Sequence, residues 1–525
     1  MTRGNGHSFS LSQRTSKPTK LTTKGVVAAQ HRVAAEVGVQ ILRDGGDAVD
    51  AAVAVSYAIG VLEPWMSGPG GGGAMIIWRA RERRAFVLNF GMKAPRGLDV
   101  SNYPLADTGK ASDLFAWRAV VGDRNVNGAA AVAVPGTVAG TGEAHKRFGR
   151  MPWGKLVQPA VDLASEGLRV DWYASLMISS SAKELASDRD AAAVFLDEGR
   201  WPKIAGWTAI SNLRLNQGKM AETLGTIRDK GAASFYTGAL AKALVGDVQQ
   251  KGGCLSLDDM SQYRPEWQEP LVIPYRSSKV FATPMLTAGP SLRDALAEME
   301  LAFQPATAPD GEAFAAYAKG LSSAYLKRFA TMGDNESPQQ PACTTHFSVV
   351  DGEGNMVAMT QTLLSTFGSK VFSASTGLLL NNGIMWFDPE QGHPNSLGPG
   401  RRCLMNICPV IIDTGSAQVA LGASGGRKIL PAVAQLTSFL CDYQMSLEAA
   451  FHHPRIDVSD GQTIIADEAL NESVLHSLTP TFSVRTAPRS IFPYAFACPA
   501  AVLADEAGRT GCTEIMTPWG DAVSE

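Results

Sequence analysis

The feature that most constrains this chain is an abrupt change of pattern at residue 344. Residues 333–343 form a polar loop with two prolines, and from Thr344 onward polar and apolar side chains alternate. Such alternation predicts a β-strand with two different faces. If the chain is cut before Thr344, the freed α-amino group can take the proton of the threonine hydroxyl group, and no separate base is needed. The pattern therefore predicts a cleavage site between Cys343 and Thr344 and a threonine nucleophile.

The composition is that of a globular protein without a strong charge bias. The 525 residues are 45% hydrophobic and 18% charged, with a formal net charge of −3. This balance argues against nucleic acid or an anionic membrane as the main partner. Because we find neither a secretory signal nor an apolar run of the roughly 20 residues that a membrane helix needs, a cytoplasmic location is predicted. The seven cysteines form no CxxC pair, so no metal, cofactor or disulfide framework is expected.

The chain is predicted to have three segments. The first 24 residues carry five basic side chains and no acidic one, and we interpret residues 1–24 as a disordered basic tail. Residues 25–343 are mostly helical in pattern, and residues 344–525 are rich in strands. Helices followed by strands, with few β-α-β alternations, indicate an α+β fold over antiparallel sheet.

The apolar patterns also predict individual elements. Helices are expected over 28–43, 48–60 and 427–442. Strands are expected at 74–78, 85–90, 345–350, 356–362, 371–373, 407–412, 417–421 and 463–466.

Two glycine-rich stretches stand next to predicted strands. The run 68–73 precedes a strand and lacks the Lys-Ser/Thr ending of a P-loop, so we interpret it as a structural turn. Residues 422–426 match G-x-S-x-G between a strand and a helix, the context of a nucleophile elbow. Ser424 is therefore an alternative nucleophile, but the favoured interpretation is that Gly425 and Gly426 present backbone N–H groups to an oxyanion. The catalytic partners of such a serine would be chosen from Asp457, Asp467, His452, His453 and His476.

The strands around Thr344 contain further polar residues. His346 lies on the same predicted face, but two residues along a strand span roughly 7 Å, which is long for proton transfer. We therefore predict a structural role for this histidine. Either Thr360 or Thr362 on the next strand could hydrogen-bond to the hydroxyl group of Thr344, and a cross-strand threonine pair without catalytic role is the alternative.

A series of short motifs runs from about residue 25 to about residue 460. They are Gly45–Ala52, Ser67–Gly73, Val134–Thr137, Thr344–Asp351, Gly354-Asn355, Asn381-Asn382, Pro399–Arg402 and Gly425-Gly426. Together they resemble the γ-glutamyltranspeptidase family of N-terminal nucleophile hydrolases.

The resemblance implies a four-layer αββα sandwich, made as one zymogen that cuts itself into chains 1–343 and 344–525. It also implies that Thr344 is the nucleophile and, through its new α-amine, the base. Thr362 would support the nucleophile, and Gly425 and Gly426 would form the oxyanion hole.

The resemblance fails at the residues that hold the glutamyl group in that family. Gly91 stands where the family has an arginine for the α-carboxylate, and Leu364 replaces an asparagine. Trp386 stands in the stretch that holds the α-amino group, and Met405-Asn406 replaces a serine pair. A buried carboxylate without its arginine keeps its desolvation cost, which speaks against ordinary γ-glutamyl recognition.

The predicted activity is that of an autoprocessed threonine hydrolase or acyltransferase, in which an amide acylates Thr344 and water, or alternatively an amine, releases the acyl group. An amidase or acylase for an oxamate-like or glutaryl-β-lactam-like amide is one alternative, and an uncut binding or scaffold protein is another. The expected partners are a small-molecule amide and the two chains of the precursor, with a higher oligomer left open. The candidates for substrate contact are Arg427, Arg402, Asn406, Trp386, Asn382 and Lys93.

Overall fold

The computed structural model describes residues 15–110, 117–206, 212–332 and 342–525. Within these ranges, two large β-sheets contain most of the strands. Their strands, numbered in chain order, are β1 (Val26–Ala29), β2 (Gly72–Arg79), β3 (Arg84–Phe90), β4 (Glu266–Gln268), β5 (Leu271–Tyr275), β6 (Ser278–Ala282), β7 (Ala342–Val350), β8 (Met356–Ser365), β9 (Val410–Asp413), β10 (Ala417–Ser424), β11 (Cys498–Asp505), β12 (Gly508–Thr513) and β13 (Asp521–Ser524).

The strand that contains Thr344 lies inside the larger sheet. This seven-stranded sheet has the order β4-β3-β2-β8-β7-β1-β13, and the six-stranded sheet has the order β5-β6-β9-β10-β11-β12. Neighbouring strands run antiparallel in both sheets. Short strands outside the two sheets lie at Leu105–Lys110, Arg118–Val120, Leu168–Arg169, Leu196–Asp197, Trp201–Pro202, Arg214–Leu215, Phe372–Ser373, Leu378–Leu379, Ile456–Asp457, Thr463–Asp467 and Ser483–Ala487.

Helices account for most of the remaining regular structure. They are α1 (Arg32–Arg43), α2 (Ala48–Leu62), α3 (Thr137–Phe148), α4 (Trp153–Glu166), α5 (Trp172–Ser180), α6 (Ala182–Leu185), α7 (Arg189–Phe195), α8 (Gly218–Lys230), α9 (Gly238–Gln250), α10 (Leu257–Gln262), α11 (Gly289–Ala302), α12 (Gly311–Met332), α13 (Ile429–Cys441), α14 (Leu447–His452) and α15 (Glu472–Leu478). Within the described ranges, none of them combines the length and apolar character that a membrane span requires.

The two sheets lie face to face between two layers of helices. On the outer face of the seven-stranded sheet, Val55 of α2 joins Met359 of β8 in one buried cluster. On the outer face of the six-stranded sheet, Tyr317 of α12 joins Leu421 of β10 in another. A third buried cluster, drawn from β1, β2, β3, β7 and β8 of one sheet and β9, β10 and β11 of the other, fills the space between the sheets. This arrangement confirms the predicted α+β class and the four-layer αββα sandwich.

Helix α2 is positioned by its cap and by its composition. The Asp47 carboxylate accepts hydrogen bonds from the N–H groups of Val49 and Asp50, and the Asp50 side chain accepts one from the N–H of Asp47. This capping box fixes the start of the helix. All residues of α2 are buried, as its almost wholly apolar sequence predicts.

Two predicted helix boundaries are wrong by a few residues. The helix predicted over 28–43 covers Arg32–Arg43, because Ala28 and Ala29 belong to β1. A fully buried strand of four residues has no periodicity that separates it from the first turn of a helix. The helix predicted over 427–442 covers Ile429–Cys441 and follows a 3₁₀ turn at Gly426–Lys428.

The predicted disordered tail also needs correction in part. Residues 1–14 lie outside the described residues. Residues 15–24, in contrast, lie along the C-terminal part of the chain, where Lys17 is held by three oxygen atoms. Its Nζ donates to Thr513 Oγ1 at 3.1 Å and to the carbonyl groups of Thr517 and Gly520 at 2.8 and 2.6 Å. A cation with three acceptors fixes this part of the segment.

Candidate active site

Thr344 lies at an irregular position of β7. The register between β7 and β8 shifts between Cys343 and Thr345, and Thr344 is 1% exposed. Its Oγ1 donates a hydrogen bond to Thr362 Oγ1 at 3.4 Å, and the same oxygen of Thr362 accepts one from the N–H of Leu364 at 2.8 Å. The two threonines that sequence reasoning selected are therefore in contact in the uncut chain.

The glycine run 68–73 supports the strand that carries Thr362. In the register, Gly72 of β2 faces Thr362 of β8. A Cβ atom on Gly71 would lie 2.3 Å from the carbonyl oxygen of Thr362, and one on Gly73 would lie 2.1 Å from that of Thr360. Only glycine allows this close approach of two backbones. The contacts fit the predicted structural turn.

The glycine pair after β10 lies next to Thr344. Gly425 and Gly426 have φ values of 128° and 59°, so both adopt left-handed conformations that favour glycine. Thr344, Ser424 and Gly425 line the same cavity, of about 20 Å³. Such a turn can direct backbone N–H groups toward an oxyanion beside the threonine.

Ser424 is hydrogen-bonded to groups that cannot act as its base. Gln30 Nε2 donates to Ser424 Oγ and, at 3.0 Å, to the carbonyl of Cys498. Ser424 Oγ in turn lies 3.5 Å from the same carbonyl. Among the described residues, no histidine or carboxylate hydrogen-bonds to this serine. Of the acids considered as its partners, Asp457 pairs with Lys428 at 3.0 Å and Asp467 with Arg489 at 3.3 Å.

His346 faces the space between the two sheets. Its Nδ1 lies 2.8 Å from Thr360 Oγ1, and its Nε2 lies 3.0 Å from Ser348 Oγ. Burial lowers the pKa of His346 to about 3, so the ring is neutral near pH 7. A neutral histidine with both ring nitrogens bonded within the strands fits the predicted structural role.

Sequence reasoning missed a buried acid beside Thr344. Glu63, the residue directly after α2, is 2% exposed, and its Oε2 accepts a hydrogen bond from Thr345 Oγ1 at 3.2 Å. It lines the same cavity as Thr344, together with Gln30 and Tyr494. The available signal was the lone acidic residue at the end of an apolar helix.

Apolar side chains surround the positions at which the resemblance to the family fails. A Cβ atom on Gly91 would lie 2.7 Å from Met405 Cε and 2.9 Å from its Sδ, so the methionine occupies the space of a larger residue 91. Met405, Leu364 and Trp386 belong to one buried cluster, and each is at most 1% exposed. Trp386 therefore lies in the core, in the same buried cluster as Met92.

Two of the candidate cations share one carboxylate. Arg402 NH2 lies 2.7 Å from Glu266 Oε1, and Lys93 Nζ lies 3.2 Å from the same atom. Arg402 also donates to the carbonyl of Gly91 at 2.6 Å. Because both cations already pair with a carboxylate of the chain, neither is a strong candidate for a substrate carboxylate.

The other polar candidates are held to different degrees. Asn382 Nδ2 donates to the carbonyl of Val126 and to Ser365 Oγ, which fits a structural role. Asn406 Oδ1 accepts a hydrogen bond from Arg328 at 3.1 Å, whereas its Nδ2 is buried and has no acceptor among the described residues. Within the part of the chain that the structure describes, Asn406 thus offers a hydrogen-bond donor that no acceptor occupies.

Arg427 is a buried residue among charged neighbours. Burial lowers the pKa of its guanidinium, while Tyr325 and the charges of Asp457 and Asp460 oppose that effect. The Tyr325 hydroxyl donates to the Arg427 carbonyl.

One group of possible metal ligands lies near the short loop before Arg402. Among the described residues, Asp388, Glu390 and His393 bring one ligand atom each within 4.8 Å of one another. His393 Nδ1 lies 2.5 Å from Asp388 Oδ2, and Glu390 pairs with Arg118 at 3.5 Å. The absence of a metal and of a cofactor stays a prediction.

The fold and the site define the class of protein first: a four-layer αββα hydrolase of the N-terminal nucleophile type. The crystal structure of cephalosporin acylase from Bacillus halodurans has this fold, with a TM-score of 0.83, 22% identity and coverage of 99% of both chains.

Comparison of sequences then identifies the family. The model of the gamma-glutamyltranspeptidase family matches residues 34–343 and 337–482. Acylase ACY 1 proenzyme from a Pseudomonas species is 34% identical over 494 residues, which cover 87% of this chain and 86% of that protein. Glutathione hydrolase proenzyme from Pseudomonas aeruginosa is 30% identical over 482 residues, which cover 82% of each. The chain belongs to the γ-glutamyltranspeptidase family, and the prediction of an enzyme from that family is confirmed.

Proposed function

We propose that this enzyme cuts itself between Cys343 and Thr344 and then hydrolyses the amide of an acid other than γ-glutamic acid. Thr344 would attack the amide carbonyl, and its α-amine would take the hydroxyl proton. Thr362 would orient the hydroxyl group, and the N–H groups of Gly425 and Gly426 would bind the oxyanion. Water would release the acyl group, since we identify no site for an acceptor amine.

The packing of Met405 against Gly91 is the main observation that supports a substrate without a γ-glutamyl group. An arginine at position 91 would have to displace the methionine side chain that lies 2.7 Å from the Cβ position. The surrounding cluster is apolar and buried, so a charged α-amino acid end would lose its hydration without gaining a partner. An acyl chain without that end would gain from apolar contact, at about 0.8 kcal/mol for each buried CH₂ group.

Two further points support an acylase. Asn406 provides a buried donor next to Met405 for one polar atom of the acyl group. The sequence relative at 34% identity carries the name acylase. A glutaryl amide is the second candidate, because the buried guanidinium of Arg328 beside Asn406 is a cation near this position.

The substrate class can be tested with three p-nitroanilides of equal chain length: γ-glutamyl, glutaryl and pentanoyl. They differ only by stepwise removal of the amino and carboxylate groups. We expect kcat/KM for the pentanoyl or glutaryl compound to exceed that for the γ-glutamyl compound by at least about 100-fold, since an unpaired buried charge costs several kcal/mol. A preference for the γ-glutamyl compound would contradict the proposal.

Self-cleavage can be tested by the intact mass of purified protein, with Thr344→Ala as control. We expect two chains for the wild type, the smaller beginning at Thr344, and a single chain for the variant. A single wild-type chain would instead support the scaffold alternative.

We also propose that the two chains stay together after cleavage. The seven-stranded sheet interleaves them, because β7 and β8 of the smaller chain lie between β1 and β2 of the larger one. Separation would break backbone hydrogen bonds on both sides of this strand pair. Gel filtration of cleaved enzyme is expected to give one species that contains both chains, and it would also report any higher oligomer.

A further inference from the structure

A buried carboxyl group next to the cleavage site has no role in the chemistry proposed above. Glu63 is 2% exposed and accepts a hydrogen bond from Thr345, the residue that follows the nucleophile. Glu63 and Thr344 line one cavity of about 20 Å³. A cavity of this size holds roughly one water molecule. The carboxyl group and Thr344 thus face one space that a single water molecule can fill and bridge.

We propose that Glu63, as a neutral carboxylic acid, carries the proton from the hydroxyl oxygen to the amide nitrogen of Thr344 during self-cleavage. This inference rests on the proposed function, because it requires that the chain cuts itself. A carboxylic acid can accept a proton on one oxygen while it donates the proton of the other. It is therefore suited to a step in which one atom loses a proton and a neighbouring atom gains one.

The step balances without any external reagent. Thr344 Oγ1 forms a bond to the carbonyl carbon of Cys343, and the bond between that carbon and the Thr344 nitrogen breaks. The oxygen loses one proton and the nitrogen gains one, so Glu63 ends as it began. Water then hydrolyses the ester that joins Cys343 to Thr344, which releases the carboxyl group of the larger chain and restores the hydroxyl group of Thr344, whose α-amine was freed in the preceding step.

The groups that face Glu63 carry no charge that would favour its carboxylate form. The titratable residues that share its cavity are Tyr173, Tyr494 and Cys498, and among the described residues no basic side chain lines the cavity. Burial raises the pKa of Tyr494 well above its ordinary value and that of Cys498 to about 12, so both are neutral at pH 7.

Burial has the same effect on Glu63. It raises the pKa of the carboxyl group to about 8, and the hydrogen bond from Thr345 offsets part of that rise. A buried carboxyl group that stays neutral at pH 7 can donate a proton there.

The test measures the rate constant of self-cleavage as a function of pH. Wild type, Glu63→Gln and Glu63→Ala are made by cell-free synthesis, translation is stopped, and the protein is desalted rapidly into buffers from pH 6 to 10. Intact mass then gives the uncut fraction over time. We expect the wild-type rate to fall about tenfold for each unit above pH 8, because the acid ionises. Both variants should cleave at least about 100-fold more slowly, without that fall.

A matched control separates the acid from the hydrogen bond that it accepts. Thr345→Val removes the donor but keeps the acid, and since the hydrogen bond favours the carboxylate, its loss should move the fall in rate to higher pH. Melting temperatures of Glu63→Gln near or above the wild-type value exclude loss of the fold. Cleavage of Glu63→Gln within threefold of the wild type, or a wild-type rate without a fall between pH 8 and 10, would overturn this inference alone. A wild type uncut at every pH would overturn the proposed function and this inference with it.

Discussion

The burial of Glu63 makes a prediction about stability that requires no turnover. The uncut Thr344→Ala chain is compared with the same chain carrying Glu63→Gln. Burial raises the pKa of Glu63 from 4.5 to about 8, so the folded state resists ionisation. The stability that this carboxyl group contributes is therefore fully present below pH 4.5 and is lost as the pH rises through 8.

The size of the effect follows from the pKa change. Each pH unit between the two pKa values removes about 1.36 kcal/mol. Between pH 5 and 8 the loss is about 3.5 kcal/mol, because ionisation is partial at both ends of the interval. For 525 residues, with an unfolding entropy of about 2.1 cal/mol/K per residue, this corresponds to about 3 °C in Tm. Glutamine does not ionise. The Tm of the Glu63→Gln chain minus the Tm of its parent should therefore be about 3 °C larger at pH 8 than at pH 5.

The assay is thermal unfolding followed by tryptophan fluorescence at pH 5 and pH 8. Glu36→Gln, on the exposed face of α1, is the matched control for the same substitution outside the core, and its Tm difference from the parent should change little with pH. A Tm difference for Glu63→Gln that is equal at both pH values would refute the reasoning, since it would mean that Glu63 ionises in the folded chain as easily as in the unfolded one.

Three further predictions concern the neighbourhood of Thr344. Gly91→Arg should lower Tm because Met405 occupies the space of the new side chain. Gly91→Arg combined with Met405→Ser should restore Tm and raise kcat/KM for γ-glutamyl p-nitroanilide by at least about tenfold. Equal Tm values for the wild type and Gly91→Arg would contradict this. Gln30→Ala should cost about 1–3 kcal/mol in urea unfolding, because Ser424 loses its buried donor; an unchanged midpoint would argue against that bond. Thr362→Val should slow self-cleavage by about tenfold, as expected for one hydrogen bond of about 1.4 kcal/mol, and lower Tm by only about 1–3 °C, because the N–H of Leu364 also loses its acceptor; equal cleavage rates would remove Thr362 from the site.

The sequence was most informative where one short segment carries the signal. Alternation after a polar loop predicted the strand that begins near Thr344, and the apolar run after Asp47 predicted a buried helix. The ordered motifs predicted the family and with it the four-layer fold. The apolar pattern was not sufficient at β1. The four residues of this strand are all buried and show no periodicity, so the predicted helix began too early and included part of the strand.

The contacts within the site could not be predicted as well from the sequence, because its polar groups come from distant parts of the chain. Glu63 lies 282 positions before Thr345, to which it hydrogen-bonds. Gln30 lies 394 positions before Ser424. Neither residue belongs to a pattern with its partner, so no local signal marks the pair. Arg402 and Lys93 were reasonable candidates for a substrate carboxylate until the structure placed Glu266 between them.

The sequence by itself determined the family and most of the elements around Thr344, and it predicted which residues of the glutamyl clamp are missing, since these depend on local periodicity and on the order of motifs. Only the tertiary structure decided what replaces the clamp: Met405 packs onto Gly91, and Leu364 and Trp386 join it in a buried cluster. It also decided that the pKa of the Glu63 carboxyl group is raised to about 8, because burial disfavours the charged form. Both properties arise from contacts between residues far apart in the chain, and such contacts exist only once the sheets and helices have packed.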